Sequence, residues 1–134
     1  MPLPPEFLEK VRQYTLRVAL ELKAEIQQNI VNNGSVYEGY LLNSIQVVTL
    51  DDGTVVVGSP LHYAPNIEFG TRPHSPLVEP LQEWARKKLK ARDFEKVGLA
   101  IAQHIARYGT PPAPFMRPAF DNIDAVKARV TANF

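Results

Sequence analysis

Ser59, His62 and Asp52 are the residues whose types and closeness in sequence suit nucleophilic catalysis: a hydroxyl, an imidazole base and a carboxylate to orient it. Their surroundings argue against it. The run Val-Gly-Ser-Pro-Leu lacks a nucleophile-elbow pattern, and Pro60 removes the N–H after the serine that commonly helps form an oxyanion hole. A serine at a strand end is the expected role. His62, Glu68 and His74 fall close enough together to suggest a metal, and a metal-dependent hydrolase is the weakest of three functional readings. No pair of them has the spacing of a zinc signature. His104 shares a helix face with Ile101, Ile105 and Tyr108, which suits a core or interface histidine. There is no cysteine, which removes disulfides, thiolate catalysis and cysteine metal sites, and fits assembly in a reducing cytoplasm. No glycine-rich loop follows a strand and opens a helix, so no phosphate cradle is expected. Neither catalysis nor a cofactor is expected.

Arg86, Lys87, Lys88, Lys90 and Arg92 crowd one segment and are the candidate DNA-facing residues, since phosphate contacts need such side chains. Arg86, Lys87 and Lys90 share a face opposite Leu81, Trp84 and Leu89, as on any solvated helix. No aromatic residues are interleaved to act as stacking platforms. A small DNA- or protein-binding module using this basic helix is the alternative reading.

The stronger signal lies in two proline-bearing stretches. The first is Tyr-Ala-Pro-Asn-Ile-Glu-Phe-Gly-Thr-Arg, residues 63–72. Tyr63 and Phe69 are bulky anchors, Pro65 is expected to hold Ala64 extended, and Gly70 permits a sharp turn. Glu68, between Ile67 and Phe69, must find a cationic or hydrogen-bonding partner if buried; Arg72 and Arg117 are the candidate cations. The second is Pro-Ala-Pro-Phe-Met-Arg-Pro-Ala-Phe, residues 112–120, a stiffened segment with Phe115 and Met116 as anchors. Both stretches suit a surface that docks, or loops tacked onto their own core.

The elements that position these stretches follow from periodicity. Phe7, Val11, Tyr14, Val18, Leu22, Ile26 and Ile30 form one stripe of a long helix, started at Pro4 and Pro5 and stopped at Asn32-Asn33-Gly34. A short turn or single helical turn over residues 37–45 leads into strands at 45–50 and 54–58. Asp51-Asp52-Gly53 between them signals a hairpin with a primed turn. Val55-Val56-Val57 does not alternate, which predicts a strand covered on both faces, by helix or by a neighbouring subunit. A second helix is expected over 76–92, with Leu77, Leu81, Trp84, Ala85 and Leu89 buried. A third spans 93–108, with Asp93 as N-cap and Gly109 as stop. Its apolar arc is wide enough for a core or interface position. The proline-rich segment then runs extended, and residues 121–133 form a final short helix. The fold class is therefore α+β. It has a long N-terminal helix, a small antiparallel sheet built on a hairpin, two further helices packed on it, an extended proline-rich segment and a short last helix. One domain spans 1–134, with the helix at 1–34 and an α+β core at 35–134.

Net charge is only +1, so the global balance selects neither nucleic acid nor an acidic membrane. Its distribution is uneven. Residues 35–71 carry Glu38, Asp51, Asp52 and Glu68 without a single Lys or Arg, whereas residues 72–107 carry eight basic residues against four acidic. Opposite patches of this kind support head-to-tail self-association around a ring, or simply face solvent on two sides. The segment Met-Pro-Leu-Pro-Pro-Glu has no signal-peptide pattern, and no run approaches a membrane span.

Taken in order, the motifs resemble the small tail-completion, or neck-type, proteins that join heads to tails in long-tailed bacteriophages. Gly39-Tyr40-Leu41-Leu42-Asn43-Ser44-Ile45 is similar to that family's Gly-x-Leu-x-x-Ser-Ile lead into its hairpin. Residues 63–72 resemble its core of Tyr-Ala followed by Glu-Phe-Gly-Thr, and residues 74–89 the helix after it. Residues 109–119 resemble its Gly-Thr-x-Pro-x-Pro-Phe-x-Arg-Pro-Ala ending. The likeness covers most of the chain beyond about residue 37; the first helix matches only in kind. It implies an α+β virion protein without catalysis, forming a ring expected to be sixfold, and present in the host cytoplasm during assembly. Its partners would be itself, in a ring in the virion or as a monomer in solution until it meets the partner ring, the head connector or adaptor and the tail-tube proteins, with DNA only passing through and no membrane. The implied docking residues are Tyr63, Pro65, Glu68, Phe69, Gly70, Thr71, Arg72, Pro114, Phe115, Met116, Arg117 and Pro118.

Overall fold

The computed structural model describes residues 3–34 and 38–134. Tyr37, expected to open the short turn before the hairpin, lies outside the described residues, as do Ser35, Val36, Met1 and Pro2. The architecture is the expected α+β arrangement: a long N-terminal helix, a two-stranded antiparallel sheet and several further helices, ending in a short one.

Helix α1 (Pro5–Asn33) begins with Pro5 in its first turn, where a missing N–H costs nothing. It ends at Gly34, whose left-handed backbone (φ 60°) lets its N–H reach the Ile30 and Val31 carbonyls. The periodic stripe is buried from Val18 through Leu22 and Ile26 to Ile30. Phe7 and Val11, expected on the buried face, are instead exposed, as are all residues 3–13. Helical periodicity marks which side of a helix is apolar but not how far along it a cover extends.

Helix α2 (Glu38–Ser44) leads into β1 (Gln46–Thr49), paired antiparallel with β2 (Val55–Gly58) so that Val47 faces Val57 and Val48 faces Val56. The half-buried Val57 packs against the α1 core, whereas Val48 and Val56 point outward and stay exposed. In the single chain only one face of β2 is covered, not both. The hairpin turn also differs from the primed turn expected. Of its residues only Gly53 has positive φ (89°), and its N–H bonds to the Leu50 carbonyl at 3.0 Å. A three-residue loop of this kind places the extra residue in glycine's conformation.

Helix α3 (Ala64–Phe69) replaces the extended segment expected around Pro65. Proline sits here in the first helical turn, where no intrahelical bond is lost, and the helix lets Ala64 pack in the core. Helix α4 (Val78–Lys88) is shorter than expected at both ends. Pro80 dictates its start: a helix begun at Pro76 would bury Pro80 past the first turn and break a bond. Its end is set by Lys90, which adopts left-handed backbone (φ 53°) while the Ala91 N–H returns to the Ala85 carbonyl. Leu81 and Ala85 are buried as expected and Trp84 half-buried, but Leu77 and Leu89 lie outside the helix and are exposed. Helix α5 (Phe94–Tyr108) has Asp93 at its N-cap position, although the carboxylate caps no N–H. Leu99 and Tyr108, part of its wide apolar arc, are exposed, and so is His104, whose ring lies 4.8 Å from that of Tyr108.

The final region folds as two short helices. Helix α6 (Arg117–Asp121) has Pro118 in its first turn, and α7 (Ile123–Ala132) follows after Asn122. The extended segment therefore stops at Met116, because Pro118 can open a helix as readily as it prevents one. Arg129 ties α7 to α1 through Glu21 (3.3 Å) and Glu25 (3.1 Å).

The expected layering of two helices on the sheet resolves into two pairings: the sheet lies on α1, and α4 packs chiefly on α5. Two apolar clusters result. The larger joins α1, α2, Ala64, Phe115 and the last two helices; the smaller is Leu81, Ala102 and Ile105 between α4 and α5. Gly98 permits the second pairing, because a Cβ there would stand 2.6 Å from the Gln82 backbone. Gly98→Ala should cost roughly 2 kcal/mol by forcing the two helices apart. Urea unfolding followed through Trp84, the single tryptophan and part of α4, measures this loss.

Candidate docking site

Prolines 111, 112 and 114 have no N–H to offer, so their segment cannot join a sheet ladder and must satisfy its backbone by other means. Side chains supply those means. Asn33 donates its amide N–H to the carbonyls of Ala113 (3.2 Å) and Pro114 (3.0 Å), and Asn29, one turn earlier on α1, donates to that of Phe115 (3.1 Å). The Ala113 N–H bonds to the Ile67 carbonyl at 2.9 Å. Three N–H groups then remain at the turn into α6. Glu68 takes all of them: Oε1 accepts from Phe115 (3.2 Å) and Met116 (2.8 Å), and Oε2 from Arg117 (3.3 Å).

Glu68 is 7% exposed, and these bonds make its burial tolerable. Its partners are backbone donors, not Arg72 or the Arg117 guanidinium as expected; Arg117 instead pairs with Asp121 at 3.1 Å. The site thus joins both proline-bearing stretches within one chain. Phe115, 1% exposed, fills the main core.

A second clasp lies a few residues away. Thr71 and Thr110 form an antiparallel bridge, with N–H to carbonyl distances of 3.0 and 3.2 Å and the two hydroxyls 2.7 Å apart. Each threonine follows a glycine that ends a helix. Gly70 (φ 78°, ψ 177°) ends α3 and Gly109 (φ 77°, ψ −164°) ends α5, both in a backbone region almost confined to glycine. Each also presses on the opposite strand. A Cβ at Gly70 would lie 2.7 Å from the Thr110 carbonyl oxygen, and one at Gly109 2.8 Å from the Arg72 carbonyl carbon. The clasp is built from two copies of aromatic-Gly-Thr, Phe69-Gly70-Thr71 and Tyr108-Gly109-Thr110. Both aromatics are left outward, at 76% and 62% exposure. Sequence reasoning assigns no docking role to Thr110, Asn29 or Asn33. The repeated tripeptide would have marked Thr110; nothing short of the tertiary contact marks the asparagines.

The other candidate docking residues fall as follows. Pro65, Phe69, Arg72, Pro114, Arg117 and Pro118 are exposed, and Tyr63, Gly70, Thr71 and Met116 are half-buried. The Arg72 carbonyl receives His74 Nδ1 at 2.9 Å.

The chemical alternatives are not assembled. Ser59 Oγ lies 2.7 Å from Ser44 Oγ and accepts the Leu61 N–H, while Asp52 is engaged at the hairpin turn with the Thr54 N–H at 2.9 Å. That bond holds the Asp52 pKa below its ordinary value. His62 packs edge-on against Tyr63, and Glu68 is committed to its three N–H groups. Among the described residues no group of three or more His, Asp or Glu side chains is placed to hold a metal ion.

The basic segment is partly neutralised. Arg86 and Lys87 pair with Glu83, whose pKa is lowered chiefly by the Arg86 hydrogen bond, and Lys88 pairs with Glu38 at 2.8 Å. Lys90 and Arg92, in the turn between α4 and α5, have no acidic partner among the described residues.

No family model, curated protein or solved structure matches this chain. Its function must be inferred from its own residues and geometry.

Proposed function

We propose that this chain is a structural protein of a bacteriophage virion, acting at the head–tail interface in tail completion or head–tail joining as a ring-forming subunit without catalysis. The observation that carries this reading is the mutual locking of the two motif stretches. Glu68 and the glycine–threonine clasp hold backbone that would otherwise be mobile, and the stiffened surface presents Pro65, Phe69, Arg72, Pro114 and Arg117 outward. A surface ordered before it meets its partner loses little entropy on docking. Its partners on this reading are other copies of itself, the head connector or adaptor and the tail-tube proteins, with DNA passing through the ring.

Deleting the gene from a phage that carries it, and viewing the lysate by negative-stain electron microscopy, tests the proposal. Filled heads beside separate tails of normal length are the expected result. Overlong tails would shift the role to termination of the tube. Intact, infectious particles would overturn the virion reading and favour DNA or protein binding through the basic segment.

A further inference from the structure

Once internal pairings are set aside, the uneven charge of this chain leaves a pole of each sign, apart from other exposed charges such as Arg72 and Arg107. Of the four acidic residues in 35–71, Glu68 is taken up by backbone N–H groups and Glu38 by Lys88. Asp51 and Asp52 remain, exposed at the hairpin tip beside the exposed Leu50. Glu9, Arg12 and Leu16 of α1 line the recess next to that tip, and Arg12 lies 3.8 Å from Glu9. The four charges there sum to −2. The opposite pole is the α4–α5 turn, where exposed Leu89 is flanked by Lys90 and Arg92. Counting Arg86, Lys87 and Lys88 against Glu83, Glu38 and Asp93, that pole carries +2.

The two poles sit at opposite ends of α1. The hairpin tip lies alongside residues 9–16, whereas α4 is attached beyond the helix end, through Trp84 Nε1 to the Gly34 carbonyl (3.4 Å) and Lys88 to Glu38. At 1.5 Å per residue, the stretch of α1 between them is about 30 Å long. They cannot meet within one molecule.

We propose that the hairpin tip of one copy docks on the α4–α5 turn of a second copy, head to tail, with Leu50 against Leu89 and Asp51 and Asp52 facing Lys90 and Arg92. The inference rests on the ring-forming reading above and names its contact. An apolar centre flanked by opposite charges is the ordinary composition of a protein interface. Because the two patches differ, the contact is heterologous and repeats from copy to copy, as a ring requires. The turn bond from Thr54 holds the Asp52 pKa below its ordinary value.

The absence of cysteine makes the test direct. Thr49→Cys and Leu89→Cys chains, mixed under oxidising conditions, should form the 49–89 disulfide at least about tenfold faster than either forms one with a chain carrying Ala128→Cys, an exposed α7 position. Adding Asp51→Lys and Asp52→Lys to the first chain should bring the rate down to that control. Adding Lys90→Glu and Arg92→Glu to the second chain should then restore it. Equal rates for all pairs, or no response to the charge reversals, would overturn the contact. So would loss of DNA retention on Lys90→Glu and Arg92→Glu with no 49–89 preference. The deletion phenotype is read separately: a joining defect without the preference removes this contact and leaves the role, and the preference without a joining defect does the reverse.

Discussion

Glu68→Ala is expected to lower the unfolding free energy by about 4 kcal/mol. The substitution leaves the N–H groups of Phe115, Met116 and Arg117 without an acceptor where water has little access. Hydrogen bonds to a charged group contribute roughly 1.5–3 kcal/mol each, and three sharing one carboxylate are not additive. Glu68→Gln is the informative partner. Its single amide oxygen can keep Phe115 and Met116, but its NH2 then faces the Arg117 N–H, donor against donor. A loss of about 2 kcal/mol is expected. Urea unfolding of both variants decides the matter: equal, small losses would mean that the carboxylate does not hold the two stretches together. For a domain with a total of about 5–15 kcal/mol, the alanine variant should also report in the docking surface, through proteolysis near residues 110–117.

Gly109→Ala is expected to cost about 4 kcal/mol and to open the Thr71–Thr110 clasp. Two effects combine. The backbone at φ 77°, ψ −164° is strained for any residue with a Cβ, and that Cβ would run into the Thr71 carbonyl oxygen, a main-chain atom with no rotamer to escape into. Gly34→Ala is the reference for ordinary left-handed strain. Gly34 has φ 60° and ψ 37°, and among the described residues a Cβ there meets nothing within 4 Å, so about 1 kcal/mol should be lost. The excess at Gly109, read from unfolding free energies, is the combined effect of its rarer backbone region and its close contact. If both cost the same, the clasp is not close-packed and the outward placement of Phe69 and Tyr108 needs another cause.

What could be read from the chain was local. The period of Val18, Leu22, Ile26 and Ile30 marked the buried face of α1, Gly34 its end, and Asp51-Asp52-Gly53 the hairpin, because each depends on neighbours within a few residues. Burial of Glu68 could be posed as a condition with an obligation attached, since a buried carboxylate must be satisfied whatever surrounds it. Tertiary structure chose the donors, and it chose backbone N–H groups 47 to 49 residues away over the guanidinium groups of Arg72 and Arg117. It also made helices at Pro65 and Pro118. The local preference against helix before proline is weaker than the gain from packing Ala64 and Ala119 into the core. Sequence alone determined α1, the hairpin, α4 and α5 in outline, the motif stretches and the uneven charge. Which charges remain uncompensated, at which ends of α1 they stand, and how two stretches some forty residues apart lock into one surface were decided by long-range contacts, whose energies no local pattern encodes.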